Sequence, residues 1–159
     1  MCGRYSLTLP EEAMRQLFDM PAAAWMQPRY NIAPSQIAPV IRLAEGGSGM
    51  VLDGMTWGLI PSWGKITPKG SGQINARSET AAEKPMFRSA YRRRRCLIPA
   101  DGFYEWQRKS GGRQPYLLRL QGGEPFTFAG LWDVWRGPNG TLLKTFTILT
   151  TTSNAVVET

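Results

Sequence analysis

The sequence encodes an α+β fold dominated by β-strands, with antiparallel strands curling into a barrel-like or sandwich core and short helices at its periphery. Three observations carry this expectation. After Arg92 the chain turns β-rich, with strand-like runs at 95–107, 114–121, 126–136 and 142–152. The breaks between these runs are Ser110-Gly111-Gly112, Gly122-Gly123 and Gly137-Pro138-Asn139-Gly140, turn chemistry at the spacing of a closing β-sheet. Helical spacing is confined to two short stretches in the first hundred residues.

The elements follow in order. Residues 3–9 read as a strand. Pro10 then stands where a first helical residue would, with Glu11 and Glu12 in the first turn and Met14, Leu17 and Phe18 at helical spacing, so a helix is expected over 10–19. Pro21, Pro28, Pro34 and Pro39 make 21–39 an extended irregular connection, because proline fixes φ and removes a backbone donor. Strands are expected at 37–43 and 50–58, joined by the hairpin signal Gly46-Gly47-Ser48-Gly49. The Gly/Pro/Lys stretch 65–72 reads as an exposed loop. A short strand over 73–77 follows. Thr80 and Glu83 have capping-box spacing, which predicts a helix starting near Thr80, interrupted at Pro85 and resumed through Tyr91.

At 159 residues the chain has one domain's worth of core. Hydrophobic content of 42% against 19% charged residues excludes global disorder. No apolar run approaches membrane-spanning length, and two cysteines do not make a disulfide framework. A reducing cytoplasm is therefore expected, with nucleoid association if the source is bacterial, and no membrane partner. The net charge of +7 comes mostly from arginine and favours a polyanionic partner, nucleic acid first. No histidine is present. That excludes Ser-His-Asp or Cys-His machinery within these residues, and two distant cysteines are too few to hold zinc. Neither a metal nor a cofactor is implied.

Cys2, directly behind Met1, is the most informative position. Loss of Met1 would leave an α-amine and a thiol on adjacent carbons. An α-amine has a reference pKa of about 7.7–8.0, so part of it is neutral and nucleophilic near pH 7. It can condense with an aldehyde to an imine, and the thiol can close on the imine carbon as a five-membered thiazolidine. The bland alternative is that residue 2 merely happens to be cysteine. Arg4 would anchor a phosphate nearby, and Gly3 would let a substrate backbone approach.

Two further clusters stand out. Gln73, Asn75 and Arg77 alternate with Ile74 and Ala76, which places the first three on one strand face. Arg77 suits a phosphate and Asn75 a sugar hydroxyl or carbonyl, although a merely solvated face gives the same pattern. In Asp101-Gly102-Phe103-Tyr104-Glu105-Trp106, aromatic neighbours disfavour a bare carboxylate, which suits Glu105 as a proton carrier near neutral pH. A glutamate paired structurally with an arginine is the alternative. Trp63, beside the 65–72 loop, is placed to stack on a base, whereas Trp57 reads as core. The run Arg92 to Arg95 adds phosphate affinity or is simply a solvated face. Cys96 reads as a small buried hydrophobe.

Met1-Cys2-Gly3-Arg4-Tyr5, Asn31-Ile32-Ala33-Pro34, Trp57 through Trp63, Asn75-Ala76-Arg77-Ser78-Glu79 and Asp101 through Trp106 occur in one order along the chain. Together they resemble the SRAP family, the SOS-response-associated peptidase-like proteins that shield abasic sites in single-stranded DNA. The resemblance implies that Cys2 forms a thiazolidine DNA–protein crosslink with the abasic sugar, after Met1 is removed, possibly by the protein itself. It implies Glu105 as the proton shuttle and Asn75 as the residue holding the N-terminus or sugar oxygen. Arg4 and Arg77 become phosphate clamps and Trp63 a support for the bent strand. It also implies a histidine in a His-x-Arg-Met-Pro stretch after a segment like Thr150 to Asn154, assisting sugar ring opening and crosslink reversal. The sequence reaches Thr159 without it. A single domain over 1–159, lacking the family's C-terminal portion and exposing apolar surface there, is the corresponding expectation.

Two other readings use the same residues. One is an N-terminal-nucleophile amidohydrolase or peptidase acting through Cys2. The other is a non-covalent single-stranded DNA-binding module, marked by strongly salt-dependent binding indifferent to the lesion.

Overall fold

A computed structural model of the chain describes residues 2–65 and 72–154. Its strands are β1 (Tyr5–Leu7), β2 (Arg29–Ile32), β3 (Ile37–Leu43), β4 (Met50–Trp57), β5 (Asn75–Arg77), β6 (Arg95–Ala100), β7 (Gly102–Lys109), β8 (Gly112–Leu118), β9 (Phe126–Arg136) and β10 (Leu142–Thr150). The helices are α1 (Pro10–Phe18), α2 (Ser78–Ala81) and α3 (Arg88–Arg93). Strands β4, β3, β6, β9 and β10 are neighbours in that order, and β10 returns to β4 to close a five-stranded barrel. β5 lies along β10 as an appendage. A second sheet, in the order β2-β1-β7-β8, stands beside the barrel.

The strand-dominated α+β expectation holds, and several boundaries match it closely. The strand at 37–43 is β3, and 126–136 is β9. Pro10 opens α1, and Asp19 closes it in the left-handed region, its N–H donating to the Arg15 carbonyl at 3.1 Å. The β3–β4 hairpin turns through Gly46, Gly47 and Gly49, all at positive φ.

Other expectations are corrected. Two contacts of β10, with β4 and with β5, are parallel; a closed ring of five strands joined by four antiparallel pairings leaves its fifth pairing, β4–β10, parallel. The run 95–107 is two strands in different sheets, broken at Asp101. The irregular stretch 21–39 contains β2, which pairs with β1 just after Pro28, where its missing donor interrupts no ladder. The Thr80–Glu83 capping box does not form. α2 begins at Ser78 with no side-chain cap, and the N–H of Glu83 donates to the Thr80 carbonyl at 3.1 Å. The strand expected at 114–121 is β8, which starts at Gly112 and ends at Leu118. Most of the 65–72 loop lies outside the described residues.

The barrel core is built on Trp57, fully buried among Tyr5, Phe146 and their neighbours. Its ring meets Tyr5 edge-on at 5.3 Å and stacks on Phe146 at 6.3 Å. At Gly130 the strands come too close for a side chain: a Cβ there would lie 2.4 Å from Ile98 Cδ1 and 2.7 Å from the Thr147 carbonyl oxygen.

Asp101 fastens the second sheet to the barrel. Its carboxylate accepts from the Ser6 hydroxyl at 2.6 Å, the Thr8 hydroxyl at 2.6 Å and the Thr8 N–H. Burial pushes the carboxyl upward, but the bonds from Ser6 and Thr8 outweigh it and hold it below the usual aspartate range. A group held lower in the folded chain stabilises above its unfolded value, about 3.9, and loses that contribution as pH falls through the folded value. Asp101→Ala is expected to cost about 2–3 kcal/mol at pH 7, since it orphans buried donors. Urea unfolding measures this, and the gap from the parent protein should narrow as the pH drops towards 3.

Candidate active site

Cys2 lies just ahead of β1, whose neighbours fix its path. Tyr5 pairs with Ile32 of β2 on one side and Phe103 of β7 on the other, and the Tyr104 N–H donates to the Arg4 carbonyl at 2.9 Å. Residue 2 is thereby carried alongside Glu105. From the opposite direction, the Trp57 indole N–H donates to the Ile74 carbonyl at 2.9 Å, and the Ile148 N–H donates to the same oxygen at 3.1 Å. That anchors the backbone immediately before Asn75. The Asn75 amide Nδ2 then donates to the Cys2 carbonyl at 2.9 Å.

Sequence reasoning therefore named three residues that the fold brings to one region: Cys2 and Glu105 through the paired strands β1 and β7, and Asn75 from β5 of the other sheet. The other amide atom of Asn75, Oδ1, is buried with no hydrogen-bond partner among the described residues. A buried acceptor left unmade costs about 1–3 kcal/mol. It is an acceptor left unmade on the same side chain that holds the Cys2 carbonyl.

Cys2 is 6% exposed, and its thiol donates to the Arg4 carbonyl at 3.6 Å. Burial pushes the thiol up to about 12; a backbone hydrogen bond at Arg4 offsets part of the rise, and the charge of Glu105 adds to it. At neutral pH the sulfur is a protonated thiol. Cys96, on β6, is likewise buried and pushed up to about 12 by its burial. It sits on the barrel wall beside Gly130, as a packing residue.

The cationic residues are individually tethered. Arg4 donates to Asn31 Oδ1 at 3.0 Å. Arg77 is exposed, lies 3.3 Å from the Glu79 carboxylate and donates to the Thr151 carbonyl at 3.3 Å. Trp63 is 66% exposed on the turn closed by the Gly64 N–H and the Pro61 carbonyl at 2.8 Å. That turn is pinned on both sides: the Ser62 N–H donates to Asp133 at 2.9 Å, and the Trp135 indole donates to the Gly64 carbonyl at 2.7 Å. Its chain neighbours apart, a Cβ at Gly3 would meet no atom of the described residues within 4 Å, so the space over it is open among them. Gln73 is exposed and bridges to Leu59 instead of joining the cluster. Within the arginine run, Arg94 pairs with buried Asp133 and covers Trp132, which makes it a packing residue, while Arg92, Arg93 and Arg95 are exposed.

Asn31 was passed over as a site residue. It orients Arg4 from β2, a strand hidden in sequence by its flanking prolines. Among the described residues no three His, Cys, Asp or Glu side chains converge as metal ligands would.

Comparison with known proteins places these features in context. A family profile described as SOS response associated peptidase (SRAP) matches residues 1–159. The abasic site processing protein YoqW of Bacillus subtilis is similar at 40% identity over 163 residues, spanning 99% of this chain and 71% of that protein. The abasic site processing protein HMCES of Xenopus tropicalis is 32% identical over 200 residues, spanning 99% of this chain and 60% of that protein. A crystal structure of a Bordetella bronchiseptica protein matches with a TM-score of 0.82 at 30% identity, over 97% of this chain and 74% of that one.

Both thiols should be quiet towards alkylation while the chain is folded. With Met1 in place, iodoacetamide labelling at pH 8 is expected to be at least about tenfold slower at Cys2 and Cys96 than at a free cysteine. Mass spectrometry after digestion reports each site, and urea should remove the protection at both.

Proposed function

The chain belongs to the SOS response associated peptidase (SRAP) family, and from that premise we propose that it captures abasic sites in single-stranded DNA as a covalent crosslink through Cys2. Hydrolysis of the Met1–Cys2 peptide bond consumes one water and frees the Cys2 α-amine. The amine adds to the C1′ aldehyde of the ring-opened abasic sugar, and loss of water leaves an imine. Sulfur then adds to the same carbon while the thiol proton passes to the imine nitrogen. The product is a thiazolidine, and capture expels one water overall.

The order of events follows from the acidities. A free α-amine titrates at about 7.7–8.0, whereas burial pushes the thiol up to about 12 while Met1 is in place. The amine is the stronger nucleophile near neutrality, and the sulfur closes only once an electrophilic imine carbon stands beside it. Glu105 is the carboxyl placed to carry protons in both steps.

The observation that carries this reading is the 2.9 Å hydrogen bond from Asn75 to the Cys2 carbonyl. It fixes the backbone of residue 2 next to Glu105, and the unmade acceptor Oδ1 suits a donor on the new N-terminus or the sugar. Arg4 and Arg77 serve as phosphate clamps. The exposed pairing of Arg77 with Glu79 is of the kind worth little in water, so a phosphate readily competes for it. Trp63, held on a pinned turn, supports the strand at the lesion by stacking, and the open side of Gly3 admits the sugar-phosphate backbone.

Intact-mass measurement before and after incubation with an abasic single-stranded oligonucleotide tests the scheme. The parent protein should lose Met1 and gain the mass of the oligonucleotide less one water, and Cys96→Ala should behave identically. Cys2→Ala should form no adduct that survives heating. Cys2→Ser keeps the amine, so its complex should survive only after borohydride reduction. An unchanged adduct on Cys2→Ala would sink the proposal.

A further inference from the structure

The β7–β8 hairpin carries a strip of side chains leading away from the site. Cross-strand partners in an antiparallel pair project from the same face, and the register sets Glu105 opposite Tyr116, Gln107 opposite Gln114 and Lys109 opposite Gly112. One face of the hairpin therefore runs from Phe103 through Glu105 with Tyr116, then the glutamine pair, to Lys109. The Lys109 ammonium donates to the Tyr116 hydroxyl at 3.1 Å and stands 5.6 Å from its ring centre, which confirms that both project from this face.

The near end of the strip is the candidate active site, because Glu105 acts electrostatically on the Cys2 thiol. The far end, four residues along, is about 13 Å away at the rise of a β-strand. Tyr116 is 44% exposed and offers a ring to solvent. Between 102 and 118 the only acidic residue is Glu105, against Arg108, Lys109 and Arg113. Arg108 and Arg113 stand directly opposite each other on the far face. An aromatic platform followed by a cation, continuous with the reaction centre, is the pattern by which proteins hold single strands without reading sequence.

We propose that this hairpin face is the subsite for the intact nucleotides flanking the lesion: one base stacks on Tyr116, and Lys109, released from its hydroxyl, pairs with the adjoining phosphate. The subsite rests on the abasic-capture reading for its substrate class but makes a separate claim, namely affinity for undamaged strand on one side of Cys2.

The test uses a fluorescent oligodeoxythymidine without a lesion, titrated at several salt concentrations, alongside crosslinking of an abasic oligonucleotide. Tyr116→Leu should weaken binding of the undamaged strand at least about fivefold, the low end of base–aromatic stacking. Tyr116→Phe, which keeps the ring, should retain parental affinity, separating stacking from a loss of fold. Lys109→Gln should flatten the slope of log affinity against log salt by about 0.7, the contribution of one phosphate on a single strand. Below saturation, crosslinking of the abasic oligonucleotide should weaken in Tyr116→Leu and Lys109→Gln in step with their loss of affinity, and stay parental in Tyr116→Phe. Parental affinity and salt slope in both Tyr116→Leu and Lys109→Gln overturn the subsite, even where abasic capture is intact. Loss of affinity in Tyr116→Leu from a protein that captures no abasic DNA upholds the subsite and overturns the capture reading instead.

Discussion

Trp57 is the interaction on which the site depends. Its ring packs against Tyr5, three residues from Cys2, and its indole N–H holds the carbonyl of Ile74, one residue from Asn75. A single buried side chain on the barrel thus sets the distance between the strand that brings the thiol and the strand that brings the amide. Truncating a core tryptophan to alanine ordinarily costs about 3–5 kcal/mol. Here the same loss would also free two segments whose relative position makes the 2.9 Å bond from Asn75 to Cys2 possible. Stability and geometry of the site are supplied by one set of contacts.

The closure of the barrel and the break at Asp101 are two halves of the same solution. β6 belongs to the barrel wall and β7 to the outer sheet, and one residue separates them. A chain that changes sheets so abruptly leaves backbone donors without a ladder partner. The Asp101 carboxylate takes up those of the Thr8 region together with the Ser6 hydroxyl. β1 is thereby tied to the start of β7, which delivers Glu105 to Cys2. The motif from Asp101 to Trp106 combines a clamp at its first residue with a chemical group at its fifth.

Much of this was legible in the sequence where it depended on local pattern. The boundaries of β3 and β9 follow from their flanking turns, and α1 from its proline and apolar spacing. What was not legible depends on pairings distant in sequence. Nothing near residues 29–32 announces β2, because its partner is β1 and prolines stand on both sides. The parallel contacts of β10 arise from barrel closure, which leaves no local signature. The capping box at Thr80 failed because the packing of Ala81, Phe87 and Ala90 against Ala76 and Leu131 decides where α2 begins. In the site, Cys2, Asn75 and Glu105 were identifiable by their chemistry. Asn31 was not, since its role is to orient Arg4 across a strand pair invisible in sequence.

The burial of the Cys2 thiol at first seems at odds with nucleophilic chemistry, for which a depressed thiol pKa is the usual device. The conflict disappears when the amine acts first. With Met1 in place, a thiol pushed up to about 12 by burial is a poor target for oxidants and alkylating agents. An α-amine near pH 8 is already partly reactive with no help from its surroundings. Once an imine carbon is held against the sulfur, proximity rather than acidity drives ring closure, since a well-oriented intramolecular partner is worth about 7–11 kcal/mol of barrier. A protonated, shielded sulfur is then an advantage. In the proposed scheme it stays unreactive until the amine has bound the aldehyde, and it closes only on the carbon that the amine delivers.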